Sequence, residues 1–292
     1  MRPEDIPRPE KPLWPDGTTK LDLARYHAAV APAMVPHLKG RPLNLERFPD
    51  GIEGRALFTQ QAPKHFPDLV ARATVPKQGG TVDHAVVERA DALVYLAGQA
   101  CITLHAWTSR RDRLERPDRL ILDFDPSVDD FAAVRRAALM AGDLYRECGL
   151  EPFAMVTGSR GIHVVAPLRR TAEHAEVGEV GRAMAAVLAE RDPGALTTKF
   201  RIADRGDRIY VDAGRVRWGH TAVAPYSVRA KPGAPVATPL RWEELSDDAL
   251  RPDGWTLRTL PERLERDGDP WADITAHARG LAAARRALGL GG

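Results

Sequence analysis

Apolar residues recur along the chain at two spacings, one typical of helices and one typical of buried strands. Helical spacing predicts helices at residues 21–38, 91–99, 128–145 and 172–190. Short apolar runs predict strands at residues 102–107, 119–125, 150–157, 162–168 and 208–212. Because strands and helices are mixed, and some strands follow each other as hairpins, the pattern predicts an α+β fold rather than a regular βαβ series.

The two ends of the chain differ from the middle. Five prolines fall within the first fifteen residues, so residues 1–20 are expected to form an extended arm rather than a packed element. Residues 270–290 are expected to form one helix on the surface. Ser127, which follows the 119–125 strand, is the predicted N-cap of the next helix. Pro32 and Pro36 are expected to interrupt the first helix.

Composition narrows the class of protein. The 292 residues are 43% hydrophobic and 28% charged, with a net charge of +2, which suits a globular chain and says little about partners. The two cysteines are far apart and predict neither a disulfide framework nor a zinc site, so a cytoplasmic location is expected. No apolar run approaches the roughly 20 residues that span a membrane, and no signal peptide is evident.

Two carboxylates end the most apolar strand. In RLILDFDPS, Asp123 and Asp125 are separated by one residue, so they point to the same face of the strand. One interpretation is structural, with Asp125 helping to cap the following helix. The other adds Asp212, which ends the RIYVD strand, because three carboxylates from two strand ends are typical of a cage for two Mg²⁺ or Mn²⁺ ions.

An anion site is predicted beside these carboxylates. In TGSRGIH, Gly158 and Gly161 permit a tight turn, and Ser159 and His163 add donors that suit a triphosphate. An ordinary glycine hairpin is the alternative for so short a motif. Residues 199–231 then contain eight Lys or Arg against three Asp, which indicates either a solvated surface or phosphate binding.

These motifs occur together, and in this order, in one family. LILDFDPS, TGSRGIHVVAPL, RIYVDAGR and TAVAPYSVRAKPGAPVATPLRWEEL resemble the polymerase domain of bacterial DNA ligase D, a branch of the archaeo-eukaryotic primase superfamily. The resemblance extends to PDGTTKLDLARYH and GRPLNLERFPDGIEG and covers roughly residues 10–273. It implies a primase-like catalytic core of mixed sheets flanked by helices, built from two intertwined modules, and a single catalytic domain over residues 1–292.

The resemblance also implies roles for particular residues. It identifies Asp123, Asp125 and Asp212 as catalytic metal ligands for Mn²⁺ or Mg²⁺. The implied nucleotide-binding residues are Ser159, Gly161, His163, His105, Arg205, Arg229 and Phe58. Lys11 and Lys20 match lysines that hold the 5′-phosphate of DNA. Phe58 and Trp107 are candidates for base stacking, with core packing the alternative for Trp107.

The implied activity is template-dependent addition of NTPs or dNTPs to a primer at gapped or broken DNA ends. Ku and an ATP-dependent DNA ligase are the implied protein partners, and nucleoid-associated cytoplasm is the implied location. Two alternatives remain, namely a primase that starts chains de novo and a weakly active DNA-end-bridging module. The second is kept open by Gln60, Ile202 and Val216, which stand where polar or basic residues are common in the family.

Overall fold

The structure, a computed structural model, describes residues 1–291 and confirms the α+β class. It contains six α-helices, listed here in chain order: α1 Lys20–Leu38, α2 Ala90–Gly98, α3 Phe131–Glu147, α4 His174–Arg191, α5 Leu260–Asp267 and α6 Ala282–Ala287. Its first seven strands are β1 Leu43–Arg47, β2 Leu57–Thr59, β3 Ala71–Lys77, β4 Gly80–Val86, β5 Cys101–Trp107, β6 Arg119–Asp125 and β7 Phe153–Val156. The remaining strands are β8 Ile162–Pro167, β9 Leu196–Thr197, β10 Ile209–Asp212, β11 Thr221–Val223 and β12 Thr238–Leu240.

The chain folds into two compact units that alternate along the sequence. The first unit comprises residues 1–114, 221–238 and 255–269, and the second comprises residues 115–220, 239–254 and 270–291. One six-stranded sheet has the order β11-β5-β1-β4-β3, with β2 paired to β1. The other has the order β12-β7-β8-β6-β10-β9.

The core of the second unit lies where α3 and α4 cover its sheet. Val134, Ala138 and Tyr145 of α3 recur at helical spacing and are fully buried. The Tyr145 hydroxyl donates to the carbonyl of Val164 in β8 at 3.1 Å, which satisfies its polar end inside the core. On α4, a Cβ at Gly181 would lie 3.1 Å from Leu120 of β6, so the missing side chain permits close helix–strand packing.

Three local expectations for the segments before α3 are wrong. The arm is packed, because Leu13 and Trp14 are almost fully buried and the Trp14 indole donates to the Lys231 carbonyl at 2.9 Å. Pro32 and Pro36 lie within α1 without ending it. Asp130, not Ser127, caps α3 by accepting from the Ala133 amide, whereas the Ser127 hydroxyl donates to the Arg208 carbonyl.

The predicted C-terminal surface helix is also shorter than expected. A 3-10 turn at Ile274–His277 is followed by the short helix α6, with Gly280 between them. Ile274 and Leu281 are buried, so this segment contributes to the core of the second unit. Glycine disfavours a continuous helix here because it gains the most conformational freedom on unfolding.

No helix within residues 1–291 combines the length and apolar character that crossing a membrane requires.

Candidate active site

The two predicted carboxylate strands are neighbours in the second sheet. In the antiparallel pairing of β6 with β10, Asp123 lies opposite Asp212, and Asp125 lies opposite Tyr210. On the other side of β6, His163 of β8 lies opposite Asp123. Directly opposed residues of antiparallel strands share a face, so His163, Asp123 and Asp212 form a row across three strands. The strands that bear the predicted carboxylates and His163 are thus neighbours in one sheet.

A guanidinium bridges the two opposed carboxylates. Arg215 donates through Nε and Nη2 to Oδ2 of Asp123, at 3.1 and 2.9 Å. Its Nε also lies 3.3 Å from Oδ2 of Asp212. The 3-10 turn Gly214–Val216 folds Arg215 back over the strand end, and the Gly214 amide donates to Oδ1 of Asp212 at 2.7 Å. The repulsion expected between the clustered carboxylates is therefore balanced by a cation of the chain itself.

Asp123 is the most buried of the three carboxylates. Burial by itself would raise the pKa of Asp123, but His163, whose Nε2 lies 3.5 Å from Oδ2, and Arg215 together lower it to about 2. Asp123 is thus an anion at any physiological pH.

Burial and the neighbouring Asp212 raise the pKa of Tyr210, whose hydroxyl donates to Oδ1 of Asp212 at 3.4 Å.

Asp125 is more open and has two cationic neighbours. Arg160 Nη2 lies 3.6 Å from its Oδ1, and Arg205 Nη1 lies 3.4 Å from its Oδ2. The Arg205 guanidinium also lies over the Tyr210 ring, 4.2 Å from the centroid. Arginines therefore surround this end of the sheet, where an anionic ligand would compete with Asp125 for the guanidinium groups.

The glycine turn joins β7 to β8 beside these carboxylates. Gly158 has φ +65°, which favours glycine, and the Thr157 amide and hydroxyl both donate to the Gly161 carbonyl. A Cβ at Gly161 would lie only 2.4 Å from the carbonyl oxygen of Phe124, so this position requires glycine. Ser159 is half-buried at the tip of the turn.

The donor set suits hard divalent cations, although the carboxylates bind arginine in this structure. Within residues 1–291, no group of three or more Asp, Glu, His or Cys side chains is arranged to hold a metal ion. Oxygens of Asp123 and Asp212 nevertheless converge on one cationic group, Arg215, from directly opposed positions. All three carboxylates supply the oxygen ligands that Mg²⁺ and Mn²⁺ prefer. Their assignment as metal ligands stays a prediction, and it requires Arg215 to move.

Three residues predicted to bind nucleotide belong to the first unit. Glu46 of β1 lies opposite both Phe58 of β2 and Thr103 of β5, and His105 Nε2 lies 3.6 Å from its Oε2. Burial by itself would raise the pKa of Glu46, but His105, Thr103 and Arg229 lower it. His105 and Arg229 are thus brought together around a shared carboxylate, and Phe58 is 74% exposed beside them.

The two predicted 5′-phosphate lysines have different surroundings. Lys11 Nζ lies 3.5 Å from the exposed carboxylate of Asp50. Lys20, in contrast, is buried, and its Nζ donates to the carbonyls of Pro7 and Gly98, at 3.0 and 2.5 Å. Burial and neighbouring cations, chiefly Arg8, lower the pKa of Lys20. Lys20 therefore holds the N-terminal segment to α2 in this structure.

Trp107 and the three departures from the family pattern differ in how far their side chains are exposed. Trp107 is 3% exposed and packs with Val75 and Leu114, so it is a core residue. Of the three departures from the family pattern, Gln60 is exposed, Ile202 is 77% exposed and Val216 is fully buried near α4. Val216 therefore contributes to the packing of the second unit in this chain.

Three residues of these clusters were not singled out from the sequence. They are Arg215 against Asp123, Arg160 against Asp125, and Glu46 against His105. Arg160 and Arg215 lie inside recognised motifs, so their basic character beside the glycines and Asp212 was a usable signal. Glu46 offered none, because a single acidic residue on a strand is usually a solvated one.

Comparisons with known proteins identify the family of this chain. Residues 19–271 match the family model described as LigD, primase-polymerase domain. The multifunctional non-homologous end joining protein LigD of Pseudomonas aeruginosa is 34% identical over 98% of this chain. The bifunctional non-homologous end joining protein LigD of Bacillus subtilis is 28% identical over 88% of it.

The fold agrees as well. The polymerase domain from Mycobacterium tuberculosis ligase D, solved in complex with DNA, matches with a TM-score of 0.88 and 30% identity. That match covers 94% of this chain and 98% of the solved one. The chain spans only 34% of the length of the Pseudomonas relative and 41% of the Bacillus one. On the sequence and the fold together, the chain belongs to the LigD primase-polymerase domain family, a family of nucleotidyltransferases.

Proposed function

We propose that this chain extends the 3′ end of a DNA primer by template-directed nucleotidyl transfer at gaps or breaks, in non-homologous end joining. The observation that carries the proposal is the row of His163, Asp123 and Asp212 across three strands, with Asp125 at the open end. Oxygens of two opposed carboxylates already converge on one cationic group, Arg215, and carboxylate oxygens are the ligands that Mg²⁺ and Mn²⁺ prefer, so the cluster favours a metal-dependent transfer.

The residues of the second unit have the following proposed roles. Asp123, Asp125 and Asp212 would hold two Mg²⁺ or Mn²⁺ ions, which lower the pKa of the primer hydroxyl and neutralise the leaving pyrophosphate. The turn at 157–161, with Ser159, Gly161 and His163, binds the triphosphate. Arg205 and Arg160 provide positive charge where the phosphates lie, and Arg215 would have to leave the carboxylates for them to hold the ions.

The first-unit residues recognise the remaining parts of the substrates. His105 and Arg229, which share Glu46, contact the incoming nucleotide, and the exposed Phe58 stacks on a base. Lys11 contacts the 5′-phosphate on the far side of a gap, and Lys20 joins it there once its carbonyl contacts are released. NTPs or dNTPs are the substrates, Ku and an ATP-dependent ligase the partners, and the nucleoid the place of action.

Primer extension on a gapped duplex tests the proposal. The assay compares Mn²⁺ with Mg²⁺, ribo- with deoxynucleotides, and a 5′-phosphate with a 5′-hydroxyl at the gap. Asp123→Ala/Asp125→Ala should lower templated extension by about 100-fold or more, because the charge-stabilising groups are lost. Asp143→Ala, on an exposed position of α3, is the matched control and should extend normally.

The outcomes separate the candidate functions. Templated extension that the double variant abolishes supports the polymerase. Extension that starts without a primer supports a de novo primase. DNA-end binding with no extension under any condition refutes the polymerase and supports the end-bridging module, for which the arginine-bound carboxylates and the exposed, uncharged Gln60 and Ile202 are the favouring observations.

A further inference from the structure

Two large apolar side chains project from the loop that precedes β10. Phe200 and Ile202 are each 77% exposed, the highest value among the large hydrophobic residues in the described part of the chain. The neighbouring Lys199 and Arg201 are exposed as well. Large apolar side chains that remain exposed to water beside a charged site indicate a surface that contacts a ligand or partner.

The loop is held in this shape by one buried arginine. Arg205 Nε donates to the Lys199 carbonyl at 3.2 Å, and its Nη2 donates to the Phe200 carbonyl at 2.7 Å. The same guanidinium lies 3.4 Å from the Asp125 carboxylate. The Phe200 ring also makes an edge contact with Tyr210, at 6.3 Å between centroids. The exposed pair is thereby tied to the carboxylate end of the sheet.

The charge of the loop indicates which ligand fits. Residues 199–208 contain four Lys or Arg and two Asp, and the donors of Arg205 are directed at the Lys199 and Phe200 carbonyls. An aromatic ring and a branched aliphatic chain that alternate with Lys199 and Arg201 suit a base next to its phosphates. A purely apolar protein partner would not need these alternating cations.

We propose that Phe200 and Ile202 form a nucleobase-contacting surface for a DNA strand beside the Asp125 carboxylate, with Lys199 and Arg201 neutralising the adjacent phosphates. This inference rests on the proposed function and adds a DNA contact to it. A base that is unpaired next to the primer end offers the exposed ring face that such a contact requires. The surface therefore favours frayed or overhanging ends over continuous duplex.

The test measures DNA and nucleotide binding separately. A primer–template with 2-aminopurine at the first unpaired template position reports stacking by its fluorescence, and anisotropy gives the Kd for the same DNA. Phe200→Ala should remove the fluorescence change and weaken DNA binding at least about 5-fold. Phe200→Tyr should retain both, because the ring remains. Ile202→Ser should weaken binding less than Phe200→Ala.

Val128→Ala is the matched control, since Val128 is an exposed apolar residue of the same unit. It should bind DNA as the wild type does. Nucleotide affinity should be unchanged in all the loop variants, and thermal unfolding should match the wild type because the altered side chains are exposed.

Three results would overturn the inference. The first is DNA affinity of Phe200→Ala within 2-fold of the wild type. The second is a loss of nucleotide affinity instead of DNA affinity, which would assign the surface to the incoming base. The third is a wild-type dimer in sedimentation that Phe200→Ala dissociates, which would assign it to a second copy. Wild-type primer extension is measured first, because its absence refutes the proposed function while the binding assay still decides the role of Phe200.

Discussion

If the proposed function holds, Arg215 is the cation that divalent ions would displace, so its removal should increase metal affinity. The perturbation is Arg215→Gln, which leaves a side chain of similar length without charge. In the wild type the guanidinium donates twice to Asp123 and lies 3.3 Å from Asp212. Without it, the two opposed carboxylates lose the cation that bridges them and attract a divalent ion more strongly.

The size of the effect follows from the contacts that are lost. A hydrogen bond to a charged group contributes about 1.5–3 kcal/mol, and the Arg215 side chain is 38% exposed, so solvent screening favours the lower end of that range. A cost of about 1.5–2 kcal/mol corresponds to a roughly 10- to 30-fold tighter Kd for Mn²⁺ in the variant.

The assay is titration of free Mn²⁺ by electron paramagnetic resonance, without nucleotide or DNA. Metal-free Arg215→Gln should also unfold at a lower temperature than the wild type, and Mn²⁺ should raise its Tm by a larger amount. Arg217→Gln removes the same charge from an exposed position two residues further on and should leave the Kd for Mn²⁺ nearly unchanged. Equal or weaker Mn²⁺ binding by Arg215→Gln would refute the reasoning.

Three further predictions concern stability. The pKa of Asp123 is lowered from 3.8 to about 2, so its ionised carboxylate stabilises the folded state. This stabilisation is complete above about pH 4 and is lost as the pH falls through about 2. Protonation of Asp123 should therefore cost the wild type about 1 kcal/mol of unfolding free energy at pH 3, and about 2 kcal/mol at pH 2, relative to neutral pH. Urea unfolding of Asp123→Asn should not show this pH-dependent decrease. Gly161→Ala, whose Cβ would meet the Phe124 carbonyl at 2.4 Å, should destabilise the protein by about 1–3 kcal/mol. Gly280→Ala, with open space around it, should be nearly neutral, and equal melting temperatures for the two would contradict the clash. Lys20→Met should lower the Tm because the Pro7 and Gly98 carbonyls lose their donor. Lys11→Met should keep the wild-type Tm and weaken the preference for a 5′-phosphate. An unchanged Tm of Lys20→Met would show that the buried contacts do not contribute to stability.

The motifs in the sequence were sufficient for the carboxylate cluster but not for its counterions. Alternation along β6 and β10 placed Asp123, Asp125 and Asp212 on strand ends, since a strand's side-chain period is a local property. The pairing of Arg215 with Asp123 depends on the 3-10 turn that folds back over β6. That turn has no periodic signature, so the sequence did not reveal the guanidinium that bridges the two carboxylates.

The same division holds for the N-terminal segment and for Lys20. The prolines predicted an extended arm that does not pack, whereas this segment is packed, and the TTKLD stretch begins α1 with a capping box between Thr19 and Asp22. That Leu13 and Trp14 are buried, and that Lys20 donates to Pro7 and Gly98, depends on contacts with residues far away in the sequence. Composition of a short window carries no information about such partners.

The sequence by itself thus determined the α+β class, the family, and the strands that bear the carboxylates, because hydrophobic period and ordered motifs are written along the chain. Only the tertiary structure decided which cations neutralise Asp123 and Asp125, which lysine is buried, and which apolar side chains of the 199–202 loop remain in water. Burial and charge pairing arise when distant segments meet in three dimensions, and both set the energies on which the site depends.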